Sequence, residues 1–291
     1  GMVLVVGLGW AKYRRVQTCA TSTLDGLNAL QEMASAGTLE TADLDLAGLG
    51  EQLRGLSEDL ACLRTESGGL MALAPLLGWM PEVGSDVASA PQLLEMAEAL
   101  TNAGVLVFDA MSPVLEGMED RGSTAQADGQ GRLDLAETVL ALDAAQPALA
   151  SAEAELGRAE DLQLELEKKS LSPRLGRLLD LTGRYLPLLR AGVGAAQLAP
   201  ALLGANGPRT YLILAQNDDE RRPTGGWISG LGLLTVEQGR VSEVNFLDSW
   251  MVDNLQVPHE IPPESMYRTL WAEIWLFRDA NWSPDFPTSA Q

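Results

Sequence analysis

The sequence predicts a mainly α-helical N-terminal region, a helical bundle or stalk, followed by the start of an α/β (α+β) domain that is truncated at the C-terminus. From Val16 to Leu203 the chain is rich in Leu, Ala, Glu and Gln, which favour helices. Short apolar runs bounded by turn residues begin after a turn at Gly204–Pro208 and are typical of strands. We therefore predict the end of a transmembrane anchor at 1–15, a coiled-coil-like helical region at 16–203, and the N-terminal part of an α/β domain at 209–291.

Composition narrows the classes of function. The 291 residues are 46% hydrophobic and carry a net charge of −20, so they can bury two cores but would repel nucleic-acid phosphates. Cys19, Cys62 and His259 are too few and too scattered for zinc or thiol chemistry. A disulfide between the two cysteines stays open at this stage, and His259 is expected to lie exposed in a Pro-rich loop.

The first 15 residues, GMVLVVGLGWAKYRR, pass from an apolar run through two aromatic residues to three cations. This order is typical of a helix that leaves a bilayer, but the apolar run is too short to span one. We predict the end of a single-pass anchor. A signal-peptide remnant and a buried strand are the alternatives. By themselves, the trailing cations would indicate a cytoplasmic exit.

Apolar stripes at helical spacing run through residues 16–203 and predict three to five long helices that pack on one another. Pro147 should interrupt the second stripe. Further breaks are predicted at Gly68–Gly69, around Pro75 and Pro81, and in a polar loop from Glu119 to Arg132. The three stripes are Leu46, Leu49, Leu53, Leu56, Leu60 and Leu63; Leu135, Val139, Leu142, Leu149 and Leu156; and Leu100, Phe108, Met111, Leu115 and Met118.

The C-terminal region reads as three strands and one helix. A short strand is predicted near Tyr211–Ala215, and two more should be joined at Glu237–Gly239, where Gly239 supplies a positive φ. The segment SMYRTLWAEIWLF predicts a helix with Met266, Leu270 and Ile274 on one face. Three strands and one helix cannot cover both faces of a sheet, so the domain is expected to be incomplete.

Two polar clusters could carry chemistry. In the first, QNDDERRPTGGW, Arg222 could grip phosphate or carboxylate while Thr224, Gly225 and Gly226 let backbone N–H groups approach an anion. The alternative is a charged hairpin loop in which Arg222 pairs with Glu220 or Asp219.

The second cluster is RDANWSPD. Asp279, Asn281 and Asp285 are oxygen donors of the kind that hold magnesium, and Arg278 could neutralise a phosphate on that metal. The alternative is a turn in which Asp and Asn side chains bond their own backbone before Pro284.

NDDERRPTGGWISGLGLLTVEQGRV followed by FRDANWSPDFPTSA resembles the domain-of-unknown-function family 4012, which occurs in membrane-anchored bacterial proteins. Arg221 departs from the family pattern, which has an apolar residue there. The order of strand, Arg-containing turn, hairpin and Arg-Asp motif is more distantly similar to the LytR-CpsA-Psr transferases, which move glycopolymers from polyprenyl pyrophosphate carriers outside the cytoplasm.

In that similarity Arg278 and Asp279 match the Arg-Asp motif and Arg222 is only a positional analogue of an earlier arginine, while Asn281 and Asp285 have no secure counterpart. With the chemistry of the two clusters, we predict catalytic roles for Arg222, Arg278 and Asp279, and a magnesium ion on Asp279 and Asp285. Glu220, Thr224, Gly225, Gly226 and Asn281 are predicted to contact the substrate. The similarity also implies an extracytoplasmic protein held at the cell membrane, with a polyprenyl-phosphate glycan carrier as partner. Pyrophosphate departure needs no protein nucleophile when Arg and magnesium neutralise the charge.

Three functions follow from these observations: a magnesium-dependent envelope transferase, a non-enzymatic scaffold that self-associates through its helices, and a module that binds a glycan or lipid carrier without turning it over.

Overall fold

The computed structural model describes residues 2–35, 46–81, 83–124 and 134–290. The chain divides into two compact units, Gly1–Ala199 and Pro200–Gln291, which we call the helical unit and the sheet unit. As predicted, a mainly helical N-terminal region precedes a small mixed α+β region.

Long helices build the helical unit, and the last one continues to Leu202. None of the helices in the described ranges combines the length and the apolar character needed to cross a membrane. The predicted anchor segment forms the first turns of helix α1, and the side chains of residues 1–9 lie outside the described part. The helices are α1 (Met2–Ser35), α2 (Leu46–Met71), a short 3₁₀ helix (Ala74–Leu77), α3 (Gly84–Thr124), α4 (Leu135–Ala144), α5 (Gln146–Leu166) and α6 (Pro173–Leu202).

Helices α1, α2 and α3 pack on a small apolar core. Leu56 and Leu60 from the predicted α2 stripe are buried there against Leu94 of α3. A disulfide joins Cys19 of α1 to Cys62 of α2, so the pairing that the sequence left open is present. The prediction of a break at Gly68–Gly69 was wrong, because α2 continues to Met71.

A larger core lies between α3, α4, α5 and α6. Leu142, Leu149 and Leu156 of the second predicted stripe are buried in it. Pro147 lies in the first turn of α5, where its missing N–H costs no hydrogen bond, and the predicted break at this position is confirmed. The polar loop predicted from Glu119 starts later, because α3 continues to Thr124; residues 125–133 lie outside the described part.

A three-stranded antiparallel sheet forms the centre of the sheet unit, in the order β1-β2-β3. Between β2 and β3, Gln238 and Gly239 have φ values of 49° and 72°, which confirms the predicted hairpin. The elements are β1 (Arg209–Arg222), β2 (Gly225–Glu237), β3 (Arg240–Asp248), α7 (Ser249–Val252), α8 (Glu264–Leu270), a 3₁₀ segment (Phe277–Trp282) and α9 (Phe286–Ser289).

Two predicted boundaries in this unit were wrong. Strand β1 does not stop near Ala215 but continues to Arg222, with irregular pairing to β2 between Asn217 and Arg221. Helix α8 ends at Leu270 because Trp271 adopts a left-handed conformation with φ 56°, and Ile274 therefore lies outside the helix.

Candidate functional site

The two sequence motifs meet where the tight connection between β1 and β2 approaches the 3₁₀ segment Phe277–Trp282. Arg222, the last residue of β1, donates from Nε to Oδ1 of Asp279 over 2.6 Å. Only 9% of the Arg222 side chain and 14% of the Asp279 side chain are exposed. The structure thus brings together two of the residues predicted to be catalytic, and it does so as a direct ion pair.

Neutral hydrogen bonds fasten the same two segments together. Asn281 donates from Nδ2 to the carbonyl of Gly226 over 2.7 Å, and Thr224 donates from Oγ1 to the carbonyl of Asn281 over 2.9 Å. Asn281 is buried. Three predicted substrate contacts therefore bind each other, across the junction between the motifs.

The Gly-Gly pair has a packing role at this junction. Gly225 has φ 137°, a conformation that favours glycine, and a Cβ there would lie 2.1 Å from Oε1 of Gln216. A Cβ on Gly226 would lie 2.0 Å from the backbone oxygen of Asn217. The two glycines allow the ends of β1 and β2 to approach closely, and the backbone N–H of Gly226 donates to Oε1 of Gln216 over 3.4 Å.

Arg278 has a different partner from its neighbour Asp279. Its Nε donates to Oδ2 of Asp253 over 2.6 Å, and its guanidinium carbon lies 3.4 Å from the ring centroid of Trp250. Asp253 also accepts from the backbone N–H of Phe277 over 2.7 Å through Oδ1. The side chains of Arg278 and Asp253 are 8% and 2% exposed, so this pair is among the most buried polar contacts of the unit.

The remaining predicted site residues lie at the edges of the cluster. Glu220 is 57% exposed and its carboxylate is 3.9 Å from Nη2 of Arg222. Asp285 precedes α9 and accepts from the backbone N–H of Thr288 over 3.0 Å and from its hydroxyl over 2.6 Å. Asp285 is therefore a helix N-cap.

The magnesium site on Asp279 and Asp285 stays a prediction, and each of the two carboxylates already has a protein partner. Asp279 is engaged by Arg222 and Asp285 by Thr288. Within the described ranges, no group of three or more His, Cys, Asp or Glu side chains is placed to hold a metal ion.

A cavity of about 540 Å³ lies beside these contacts in the sheet unit. The backbone N–H of Trp275 donates to the carbonyl of Glu260 over 3.0 Å, which joins two of its walls. The indole N–H of Trp275 donates to the carbonyl of Asp279 over 3.1 Å, which fixes the ring to the motif. The lining combines three aromatic side chains with hydroxyl, imidazole and carboxylate groups: Trp275, Phe277, Trp282, Ser283, Thr288, Ser289, His259 and Glu260, with Pro258, Pro263, Leu276 and Ala280.

Sequence reasoning missed Asp253 and Trp250, and it assigned His259 to an exposed loop. His259 is half-buried, lines the cavity, and contacts the backbone carbonyl of Asn254 through Nε2 at 2.9 Å. No spacing rule links Asp253 to Arg278 over 25 positions. The sequence feature that could have indicated Asp253 is its position at the end of the mainly apolar segment SWMVD.

Comparison with known proteins gives one result. Residues 206–291 match the model of the family described as "Protein of unknown function (DUF4012)". No curated protein and no solved structure gives a significant match to the chain. The match covers both polar motifs, the strands β1 and β2 that carry the first, and the 3₁₀ segment that carries the second.

Proposed function

We propose a function from the geometry of the site in residues 206–291, which match the DUF4012 family model, a family whose description assigns no activity: a non-enzymatic envelope protein that binds a glycan. The sheet unit carries the glycan site and the helical unit is its stalk. The observation that carries the proposal is the cavity of about 540 Å³ lined by aromatic and hydroxyl-bearing side chains.

The volume and lining of the cavity suit a sugar. Ligand sites in proteins typically enclose about 300–1,000 Å³ and combine apolar walls with a few polar groups. A sugar ring has apolar C–H faces, which pack on aromatic rings, and hydroxyl edges, which need hydrogen-bond partners. Trp275 and Trp282 supply the faces, and Ser283, Ser289 and Glu260 supply donors and acceptors.

The ion pairs favour binding over transfer. A transferase would use Arg222 and Arg278 to hold a pyrophosphate, whereas each guanidinium is already 2.6 Å from a carboxylate. Exchanging such a buried partner for a ligand would leave Asp253 or Asp279 unpaired, which costs several kcal/mol. We therefore assign the motif to holding the walls of the cavity, and magnesium is not part of the proposal.

The disulfide supports the cellular location. Bonds such as Cys19–Cys62 form and persist in oxidising compartments and are rare in the reducing cytoplasm. We propose that the protein works outside the cytoplasm, at the cell envelope. The membrane anchor stays a prediction from the first 15 residues.

Isothermal titration of the purified chain with the disaccharide and trisaccharide of N-acetylglucosamine tests the proposal. Trp282→Ala should weaken binding at least about tenfold, because stacking and orientation are lost together. Trp271→Ala is the matched control, since Trp271 is 79% exposed and lies outside the cavity.

A second titration, with inorganic pyrophosphate and MgCl₂, tests the competing transferase hypothesis. We expect no saturable binding, because Arg222 is already paired with Asp279. Magnesium-dependent binding of pyrophosphate that Arg222→Lys abolishes would replace the glycan proposal with the transferase. Equal losses in Trp282→Ala and Trp271→Ala, or no binding of the oligosaccharides by the unmodified chain, would also overturn it.

A further inference from the structure

The helical unit contains a second cavity, of about 340 Å³, between α3, α5 and α6. Every residue along its lining is Leu, Val, Ala, Met or Gly. We propose that this cavity binds a single hydrocarbon chain, such as the tail of a lipid. This inference is independent of the glycan site, which lies in the other unit.

The chemistry of the lining selects an apolar occupant. A polar ligand would leave its hydrogen-bonding groups without partners, at a cost of roughly 1–3 kcal/mol for each group. Apolar cavities of about 150 Å³ stay dry and take up apolar molecules. This cavity, at about 340 Å³, has more than twice that volume.

The shape of the cavity favours a chain over a ring. On α3 its lining extends from Leu100 to Met111, which is about 16 Å along a helix at about 1.5 Å per residue. On α6 it extends from Leu188 to Ala196, about 12 Å on the same scale. Averaged over that length, a volume of about 340 Å³ corresponds to a narrow slot.

Apolar side chains also mark its opening. Leu188 and Leu189 line the cavity although they are 65% and 53% exposed. Two large exposed leucines side by side on α6 cost free energy in water, and a chain that lies along them would cover their surface. The exposed leucines therefore form the apolar edge of a cavity whose floor is formed by buried core residues such as Leu149 and Leu156.

Gly192 is an exposed lining residue of the cavity. A Cβ there would have no neighbouring atom within 4 Å. A side chain can therefore be added at this point of the lining without an initial clash. A Cβ on Gly194 would also have no neighbouring atom within 4 Å, but Gly194 lies on the same helix outside the lining, so it provides a matched control.

The experiment uses the whole chain and the fluorescent probe 11-(dansylamino)undecanoic acid, whose emission rises in an apolar site. We expect saturable binding, displacement by palmitic acid, and no binding of dansylamide, which has the ring without the chain. Gly192→Leu should weaken binding at least about tenfold, and Gly194→Leu should leave it unchanged.

Ala196→Phe, a second filling change in the lining, should reproduce the loss if Gly192→Leu proves unstable in thermal melts. Binding that survives both filling changes would overturn the proposal. So would equal binding of dansylamide, or no emission change with the unmodified chain.

Discussion

The helical unit and the sheet unit bury different kinds of side chain. The cores of the helical unit are built from Leu, Val, Ala and Met, and ion pairs such as Arg54–Asp109 lie at its surface. The sheet unit instead buries the Arg278–Asp253 pair. The free energy of unfolding of an apolar core falls gradually as buried area is removed. A buried charge that loses its partner lowers the free energy of unfolding by a large amount in one step. Single charge changes should therefore damage the sheet unit most.

The largest effect is expected from Asp253→Ala. It would leave the Arg278 guanidinium buried without its carboxylate and would free the N–H of Phe277. We expect a loss of about 3–5 kcal/mol in the free energy of unfolding. Denaturant unfolding followed by tryptophan fluorescence measures it, because the sheet unit contributes most of the indoles: Trp227, Trp250, Trp271, Trp275 and Trp282.

The control for this prediction removes both charges. In the double variant Asp253→Asn, Arg278→Met, no charge stays buried, and the thioether can pack on the Trp250 ring. Most of the lost stability should return. A double variant as unstable as Asp253→Ala would mean that packing, and not the unpaired charge, causes the loss.

The disulfide gives the next largest effect, and it should be confined to the helical unit. Cys19→Ser with Cys62→Ser opens a covalent loop whose ends are 43 positions apart. We expect a loss of about 2–4 kcal/mol, detected as a lower midpoint of thermal unfolding in far-UV circular dichroism.

Reductant should lower the midpoint of the unmodified chain in the same way and should have no effect on the double serine variant. If the unfolding midpoint followed by tryptophan fluorescence fell as much as the midpoint followed by circular dichroism, the effect of the disulfide would not be confined to the helical unit.

The same contrast explains which parts of the structure could be predicted. Helix formation and burial follow local spacing, so the stripes containing Leu56 and Leu149 indicated the cores of the helical unit. The contacts of the site are non-local: Arg278 and Asp279 are adjacent, yet one pairs with Asp253 and the other with Arg222. Residue types alone indicated that these side chains mattered, but the partner of each depends on the fold of three separate segments.

Glycine substitutions should have opposite signs in the two units. Gly226→Ala would place a Cβ 2.0 Å from the backbone oxygen of Asn217, and forcing the strands apart should cost about 1–3 kcal/mol. Gly55 is exposed in the middle of α2 with open space around it, so Gly55→Ala should add about 0.5–1 kcal/mol. Denaturant midpoints read by fluorescence and by far-UV circular dichroism check both changes. If both substitutions shifted the denaturant midpoint in the same direction, the two units would not differ in their response to a glycine substitution.

The smallest effect is expected at the ion-pair network between α5 and α6. Arg190 donates from Nε to Glu153 over 3.0 Å and also contacts Glu160. The hydrogen bond to Glu153, with the charges of Glu153 and Glu160, raises the pKa of Arg190 above its ordinary value. About a third of each side chain is exposed, so solvent screens the network. Arg190→Gln should therefore lower the melting temperature by less than Gly226→Ala does.

The response of this variant to pH and salt distinguishes charge from packing. A raised folded-state pKa gives stability that is complete below the unfolded-state pKa and is lost only as pH rises through the folded-state pKa. For Arg190 this loss begins only above the ordinary pKa of an arginine. The difference in melting temperature between the unmodified chain and Arg190→Gln should therefore stay constant from about pH 6 to about pH 10. It should shrink in about 1 M salt, where exposed charges are screened. If salt leaves the difference in melting temperature unchanged, the loss of stability in Arg190→Gln comes from the packing of the Arg190 stem on the helices. The stability of the helical unit would then depend on its charges even less than the comparison with the sheet unit implies.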